Sequence, residues 1–284
     1  MKIDFLVPGI NKCGTTTLCF LLGQHPHIFI PRLKEPHHFS RPTLEDHRAA
    51  YERLFRPAKP GQLLGEGSQM YSSAQLADLV SARLKQHNPE MKLIFCVRNP
   101  LQRIESSYRE FHSRGAAFGV VAPFGLGAAI DALPGLMQDS QYWQRLRSFR
   151  DHFPDAQIHI VFLEDLRRAP QAELARCYAF LGVDDAFQNP AADAQLNSRD
   201  EKYYDTPLMR FLRSGPLTAR QLAKLSIPEQ DRIFRPLGLR RPFGAAPLDW
   251  PQALRARVIA ALKPDVAQLL AHCGKPADYW PEFA

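Results

Sequence analysis

Short apolar runs alternate with amphipathic stretches along the chain. Residues 3–7 and 92–97 are the clearest apolar runs, and residues 28–30, 63–66 and 157–162 are weaker ones. Each run is bounded by Gly, Pro or polar residues, so each predicts a buried strand. Helical spacing of apolar residues predicts helices over residues 15–23, 44–55, 72–87, 101–112, 141–152, 171–181 and 253–272.

This alternation predicts the fold class. Strands that alternate with helices form α/β folds, in which a central, mostly parallel sheet is flanked by helices. We therefore expect a three-layer α/β fold in a single domain over residues 1–284. Residues 114–138 are rich in Gly, Ala and Pro and predict a loop or lid, and residues 186–250 predict an irregular region.

Charge and cysteine content narrow the class of protein. The net charge of +7 suits an anionic ligand but does not choose among nucleotides, nucleic acids, glycans and membrane surfaces. The five cysteines include no CxxC pair, so neither a zinc site nor a disulfide framework is indicated, and a reducing compartment fits. The first apolar run ends at Pro8, and no stretch of 18 apolar residues occurs. A cytoplasmic protein without a membrane span is expected.

The segment after the first strand has the composition of a phosphate-binding loop. Gly9 and Gly14 permit a tight turn, and the N–H groups at the start of the next helix attract anions. The glycines keep the P-loop spacing GxxxxGK[ST], but Thr15 stands where the Lys belongs, and Lys12 supplies the charge instead. The predicted anion-binding residues of this P-loop-like segment are Asn11, Lys12, Cys13, Gly14, Thr15, Thr16 and Thr17.

A second anion site is predicted after the strand at residues 92–97. Arg98 stands at the end of the strand, and Ser106 lies two helical turns into the following helix. Arg binds phosphate in a bidentate manner, and Ser donates a hydroxyl. ATP enzymes usually pair the loop with an acidic residue that helps to hold Mg²⁺, whereas this strand ends in Arg. The two sites predict a ligand with two separated anionic groups and no metal.

These segments resemble the motifs of the sulfotransferases that use 3′-phosphoadenosine 5′-phosphosulfate (PAPS). Residues 9–18 (GINKCGTTTL) resemble the 5′-phosphosulfate loop of that family. Residues 97–108 (VRNPLQRIESSY) resemble its 3′-phosphate motif, including the spacing from Arg98 to Ser106. The resemblance implies PAPS as donor, 3′,5′-ADP as product, no metal requirement, and Lys12 as the residue that stabilises charge on the leaving phosphate.

The similarity is closest to the glycan branch, the heparan sulfate N- and O-sulfotransferases, and to bacterial members of the family. In that branch the catalytic base lies in a segment after the first helix, and residues 34–39 (KEPHHF) stand in that place. Glu35 is the residue that matches the base, and His37 is the alternative, because imidazole titrates near neutral pH. Residues 65–71 (GEGSQMY) resemble the next conserved segment of that branch. In several glycan enzymes a Lys follows its Glu, whereas here Gly67 follows Glu66.

The family also has a C-terminal loop that folds over the nucleotide, so the resemblance implies that the irregular region at residues 186–250 covers acceptor or cofactor. Residues 197–203 lie about where that loop belongs, which makes Arg199 and Lys202 candidate cofactor contacts; a surface loop is the alternative.

The predicted function is transfer of a sulfuryl group from PAPS to a hydroxyl or amine by in-line displacement. The resemblance favours a carbohydrate or glycoconjugate acceptor, while a lipid or secondary metabolite fits the same chemistry. One alternative is a P-loop kinase of small molecules using ATP and Mg²⁺, which the missing Lys and the missing acidic strand end oppose. The other is a basic nucleic-acid-binding protein, which the scattered basic residues and the lack of a recognised module oppose. The oligomeric state is not indicated.

Overall fold

Five parallel strands form the central sheet of a computed structural model, which describes residues 1–33, 35–115, 119–194, 202–215, 221–222, 224–244 and 248–284. The strands are β1 (Phe5–Gly9), β2 (Ile28–Phe29), β3 (Leu63–Glu66), β4 (Lys92–Val97) and β5 (Ile158–Phe162). Their order is β2-β3-β1-β4-β5, and every neighbouring pair is parallel. The predicted α/β fold with a parallel sheet is confirmed.

Helices follow the strands, as the alternating pattern predicts. Those before β5 are α1 (Thr15–Leu22), α2 (Glu45–Arg53), α3 (Ala77–His87), α4 (Pro100–Arg114), α5 (Leu126–Ala132), α6 (Gly135–Gln138) and α7 (Tyr142–Arg150). Those after β5 are α8 (Leu163–Arg168), α9 (Pro170–Leu181), α10 (Pro207–Ser214), α11 (Ile227–Phe234) and α12 (Gln252–His272). Within the described ranges, none of them has both the length and the apolar character to cross a membrane.

The chain divides into two compact units. The first comprises Met1–Arg103, Met137–Leu196 and Arg257–Ala284 and contains the five-stranded sheet. The second comprises Ile104–Leu136 and Asn197–Ala256. It contains an antiparallel pair of short strands, β6 (Tyr203–Asp205) and β7 (Arg240–Pro242). The single domain expected over residues 1–284 stays a prediction.

The order of the strands places a topological switch point at β1. The chain leaves β1 to one side, forms β2 and β3 there, and then crosses to β4 on the other side. Ligands of parallel α/β sheets bind at the carboxyl ends of the strands at such points. The N–H of Ile10, just after β1, donates to the carbonyl of Cys96 in β4 at 3.0 Å, so the segments that follow the two strands start side by side.

The segment at residues 114–138 differs from the predicted loop. It contains α5 and α6, and α5 buries Leu126, Ala129 and Ile130, which have the i, i+3, i+4 spacing of one helix face. Three of the seven residues of α5 are the apolar but small Ala128, Ala129 and Ala132, so the contrast between its faces is weak in the sequence.

The irregular stretch predicted at residues 186–250 contains α10, α11, β6 and β7. Several charged side chains of this stretch are buried and paired with one another. Arg240 is fully buried and pairs with Asp231 at 2.7 Å, while Arg213 pairs with Asp205 at 2.5 Å. Buried charges of this kind need partners, and the sequence does not show which residues supply them.

Candidate active site

Two glycines set the path of the loop between β1 and α1. At Gly14 φ is +93°, a left-handed conformation that glycine adopts without strain. A Cβ atom there would lie 2.6 Å from Cδ1 of Leu163, and a Cβ atom on Gly9 would lie 1.8 Å from Oγ of Ser72. The loop backbone is therefore packed so closely on its neighbours that neither position has room for a side chain.

The loop and the start of α1 carry hydrogen-bond donors. The first N–H groups of a helix have no acceptor within that helix, and the first turn of α1 has no acidic residue. Thr16 and Thr17 in this turn are partly exposed, and so is Lys12 in the loop. Backbone N–H groups, hydroxyls and an ammonium form a donor set that fits a phosphate or phosphosulfate group.

Cys13, a member of the predicted loop set, is buried. Its thiol is buried and lies 3.7 Å from the hydroxyl of Tyr142, and burial raises the pKa of this thiol to about 11. Its N–H donates to the carbonyl of Ile10 within the loop. A neutral, buried thiol contributes packing, so a nucleotide contact by Cys13 stays a prediction.

Two arginines from the segment after β4 hold the carbonyl groups of the loop. Nη1 of Arg98 donates to the carbonyl of Lys12 at 3.2 Å, and Nε of Arg103 donates to the carbonyl of Asn11 at 3.2 Å. Arg103 is fully buried and also pairs with Asp139 at 3.2 Å. The sequence suggests no such role for Arg103, yet the structure shows it as an anchor of the loop.

Arg98 is also placed to receive an anion. Its Nη2 donates to Oε1 of Gln102 at 2.9 Å, whereas its buried Nε has no hydrogen-bond partner among the described residues. A buried donor without an acceptor is costly in a folded protein. A phosphate group would supply the missing acceptor, so this guanidinium fits the predicted anionic ligand.

Three other predicted cofactor contacts lie in the second unit or outside the described residues. Ser106 is half-buried on the part of α4 that lies in the second unit. The ammonium of Lys202, in the same unit, pairs with the carboxylate of Glu110. Arg199 lies outside the described residues. The assignment of these three residues to the nucleotide stays a prediction.

The two candidate bases are neighbours, and one side chain connects them to the loop. Oε2 of Glu35 lies 3.6 Å from Nε2 of His37 and accepts a hydrogen bond from Nε2 of Gln69 at 3.4 Å. Oε1 of Gln69 in turn accepts from the hydroxyl of Thr15 at 3.4 Å. A carboxylate and an imidazole, both partly exposed, are thus brought next to the start of α1.

The buried carboxyl group of Glu66 is linked by hydrogen bonds to the segment that carries Glu35 and His37. Glu66, at the end of β3, is fully buried and accepts from Ser68 at 2.8 Å and from Tyr71 at 3.0 Å. Ser68 Oγ also accepts from the backbone N–H of His37 at 3.1 Å. The chain at His37 has φ of +52°, so this contact helps to hold a strained conformation. Glu66 is therefore a structural support for the segment that carries both candidate bases.

His38 does not share the setting of His37. It is buried, its ring stacks on Tyr51 with 4.1 Å between ring centroids, and burial lowers its pKa to about 4. Within the part of the chain that the structure describes, no three His, Cys, Asp or Glu side chains are grouped to hold a metal. The absence of a metal requirement stays a prediction.

The environment of Glu66 predicts a pH-dependent stability. Burial raises the pKa of this carboxyl to about 7, from 4.5. Between those values the folded chain keeps a proton that the unfolded chain releases, so stability falls as pH rises through this window, by roughly 3 kcal/mol in all. Glu66→Gln removes this ionisation. We expect the difference in unfolding free energy between wild type and variant to change by that amount between about pH 4.5 and pH 8, measured by urea denaturation. A difference that is constant over this range would contradict the assignment.

The match to a family model decides which family the chain belongs to. Residues 2–204, more than half of the chain, match the model described as "Sulfotransferase domain". The chain belongs to the sulfotransferase domain family. This confirms the family predicted from the two anion-binding segments, and both segments lie inside the matched sulfotransferase region.

Sequence relatives of this sulfotransferase chain include enzymes named for heparan sulfate. Heparan sulfate glucosamine 3-O-sulfotransferase 6 of Mus musculus is 31% identical over 182 residues, which cover 63% of this chain and 52% of the relative. Heparan sulfate glucosamine 3-O-sulfotransferase 3B1 of Homo sapiens is 29% identical over 182 residues, which cover 63% of this chain and 45% of the relative. The chain spans about half the length of the curated relatives it matches.

A solved structure confirms the fold over the whole sulfotransferase chain. The crystal structure of a sulfotransferase from Alicyclobacillus acidocaldarius superposes with a TM-score of 0.67 and covers 99% of both chains at 22% identity. No finding among these comparisons supports the kinase alternative.

Proposed function

We propose that this protein transfers a sulfuryl group from PAPS to a hydroxyl or amine of a carbohydrate acceptor. The observation that carries the proposal is the link from Glu35 through Gln69 to Thr15, which brings a proton acceptor to the start of the phosphate loop helix. Family membership supports the reaction class, and the relatives named for heparan sulfate glucosamine support a glycan acceptor and a hydroxyl as its reacting group.

The donor has two anionic ends, and the protein offers a group of donors for each. The loop N–H groups, the threonine hydroxyls and Lys12 suit the 5′-phosphosulfate. Arg98, with its buried Nε, suits the 3′-phosphate, and Ser106 is the second residue proposed for that end. Neutralisation of both ends by the protein itself is consistent with a reaction that needs no metal, and 3′,5′-ADP is the product.

In the transfer step the acceptor oxygen attacks sulfur while the bond from sulfur to the bridging oxygen of the phosphate breaks. The electron pair of that bond stays on the phosphate, where Lys12 stabilises the developing charge. Glu35 takes the proton of the acceptor, and His37, 3.6 Å away, is the alternative base. Positioning of the two substrates supplies the rest of the acceleration, up to about 7–11 kcal/mol.

The proposed cellular location is the cytoplasm. All five cysteines lie within the described residues, and none of them forms a disulfide, which supports a reducing compartment.

Ligand titration tests the donor assignment. We expect 3′,5′-ADP to bind in calorimetry without metal, and ATP–Mg²⁺ and a single-stranded oligonucleotide to bind weakly or not at all. Arg98→Met should weaken 3′,5′-ADP binding by about tenfold or more, because it removes a charge-assisted phosphate contact. Arg32→Met, at an exposed arginine, is the matched control and should change nothing. Binding of ATP–Mg²⁺ but not 3′,5′-ADP would favour the kinase alternative.

A further inference from the structure

Gln69 connects two parts of the site that are far apart in the sequence. Its amide lies between the carboxylate of Glu35 and the hydroxyl of Thr15, at 3.4 Å from each. The orientation of the amide follows from the chemistry of its partners. An ionised carboxylate has no proton to donate and therefore faces the NH₂ group, which turns the amide carbonyl toward the hydroxyl.

The backbone of Gln69 is held against the phosphate loop. Gln69 opens the 3₁₀ turn Gln69–Ser72, and a Cβ atom on Gly9 would lie 3.1 Å from the carbonyl oxygen of Gln69. In the same turn, the hydroxyl of Tyr71 donates to Glu66 and accepts from the N–H of Phe39. The side chain of Gln69 therefore starts from a fixed point next to the loop.

Thr15 is the contact through which a bound nucleotide would act on Gln69. It is buried at the first residue of α1, where the helix end attracts an anion. Its hydroxyl can donate only one hydrogen bond. A phosphate that accepts this hydrogen bond therefore takes the donor away from Gln69. Both contacts of Gln69, at 3.4 Å, are longer than ordinary hydrogen bonds of their type and are therefore weak, so the exchange costs little.

We propose that Gln69 is a positioning residue that couples occupancy of the phosphate loop to the orientation of Glu35. The inference rests on the proposed function, because it takes Glu35 as the base. In the free protein the amide is shared between Thr15 and Glu35. When the nucleotide takes the Thr15 hydroxyl, Oε1 of Gln69 loses its donor, and the amide is free to shift toward Oε2 of Glu35, to which its Nε2 already donates.

Gln69→Met tests the coupling, because it keeps the length of the side chain and removes both hydrogen bonds. The measurements are kcat with labelled PAPS and heparan sulfate oligosaccharides, and the Kd of 3′,5′-ADP. We expect kcat to fall about tenfold, and the Kd to stay unchanged or to tighten by up to about threefold, because Thr15 no longer has to leave Gln69. Loss of kcat without loss of nucleotide affinity is the pattern that a merely structural residue would not give.

Two further variants separate this role from a merely structural one. Gln144→Met, at an exposed glutamine of α7, is the matched control and should leave kcat and Kd as in wild type. Gln69→Glu can still accept from Thr15 but repels Glu35, so it should lose turnover while nucleotide binding persists. This variant keeps the test available if Gln69→Met does not fold.

The outcomes distinguish failure of the inference from failure of the proposed function. If the kcat of Gln69→Met equals that of wild type, the inference is overturned and the proposed function stands. A parallel loss of kcat, nucleotide affinity and melting temperature also overturns it, because that pattern marks a structural residue. A wild-type protein that binds no 3′,5′-ADP and transfers no sulfuryl group overturns the proposed function and the inference together.

Discussion

Replacing Lys12 by alanine is expected to lower turnover by about 10²- to 10³-fold, because it removes a charge that acts on the leaving phosphate in the transition state. Lys12 lies in the loop between Asn11, whose carbonyl accepts from Arg103, and the buried Cys13. Both neighbours fix the backbone from which the Lys12 side chain extends. The loss should appear mainly in kcat, measured with labelled PAPS. Binding of 3′,5′-ADP should weaken less, because the backbone N–H groups and Arg98 remain.

The control for this variant is Lys2→Ala, at an exposed lysine outside the loop. It makes the same change in net charge and should leave turnover unaltered. Melting temperatures of both variants should match that of wild type, since the Lys12 side chain is partly exposed. Near-normal turnover in Lys12→Ala would show that another group stabilises the leaving phosphate.

Glu35→Gln is expected to reduce turnover by about 10²- to 10⁴-fold, because an amide cannot take the acceptor proton. The amide has nearly the shape of the carboxylate, so the neighbourhood of Gln69 and His37 is preserved. Binding of 3′,5′-ADP, measured by calorimetry, should therefore stay close to that of wild type. This pattern would identify Glu35 as a residue of the chemical step.

His37→Ala separates the two candidate bases, which lie 3.6 Å apart. If Glu35 is the base, loss of His37 leaves most of the turnover. If Glu35→Gln keeps turnover and His37→Ala loses it, the imidazole is the base. Glu45→Gln, at an exposed glutamate of α2, is the matched control for the carboxylate variant and should be as active as wild type.

The parts of the fold that follow from local pattern could be predicted from the sequence. The strand at Lys92–Val97 is apolar throughout after its first residue, and its predicted bounds agree with β4. The loop after β1 is marked by two glycines at fixed spacing. Because ligands of parallel sheets bind at the carboxyl ends of strands, the pattern also places both predicted anion sites, after β1 and after β4, at such ends.

Contacts between residues far apart in the chain could not be predicted in the same way. Nothing in the sequence around Gln69 shows that its amide reaches both Glu35 and Thr15, since this depends on how the turn after β3 packs on Gly9. Arg103 looks like an ordinary helix residue until its burial against Asp139 is known. In the second unit, the partners of the buried Arg240 lie at Asp205 and Asp231, and no local pattern in the sequence pairs them.

The close packing at Gly9 and Gly14 has a consequence for engineering. A methyl group at either position would meet Ser72 or Leu163 at a distance that real Cβ atoms do not adopt. A mutant library aimed at new acceptors should therefore leave both glycines unchanged. If both positions were randomised, most variants would not form the loop correctly. Under the proposed function, active variants keep Gly9 and Gly14 and with them the loop proposed to bind the donor. Changes in acceptor preference therefore have to come from residues whose surroundings leave room for a larger side chain.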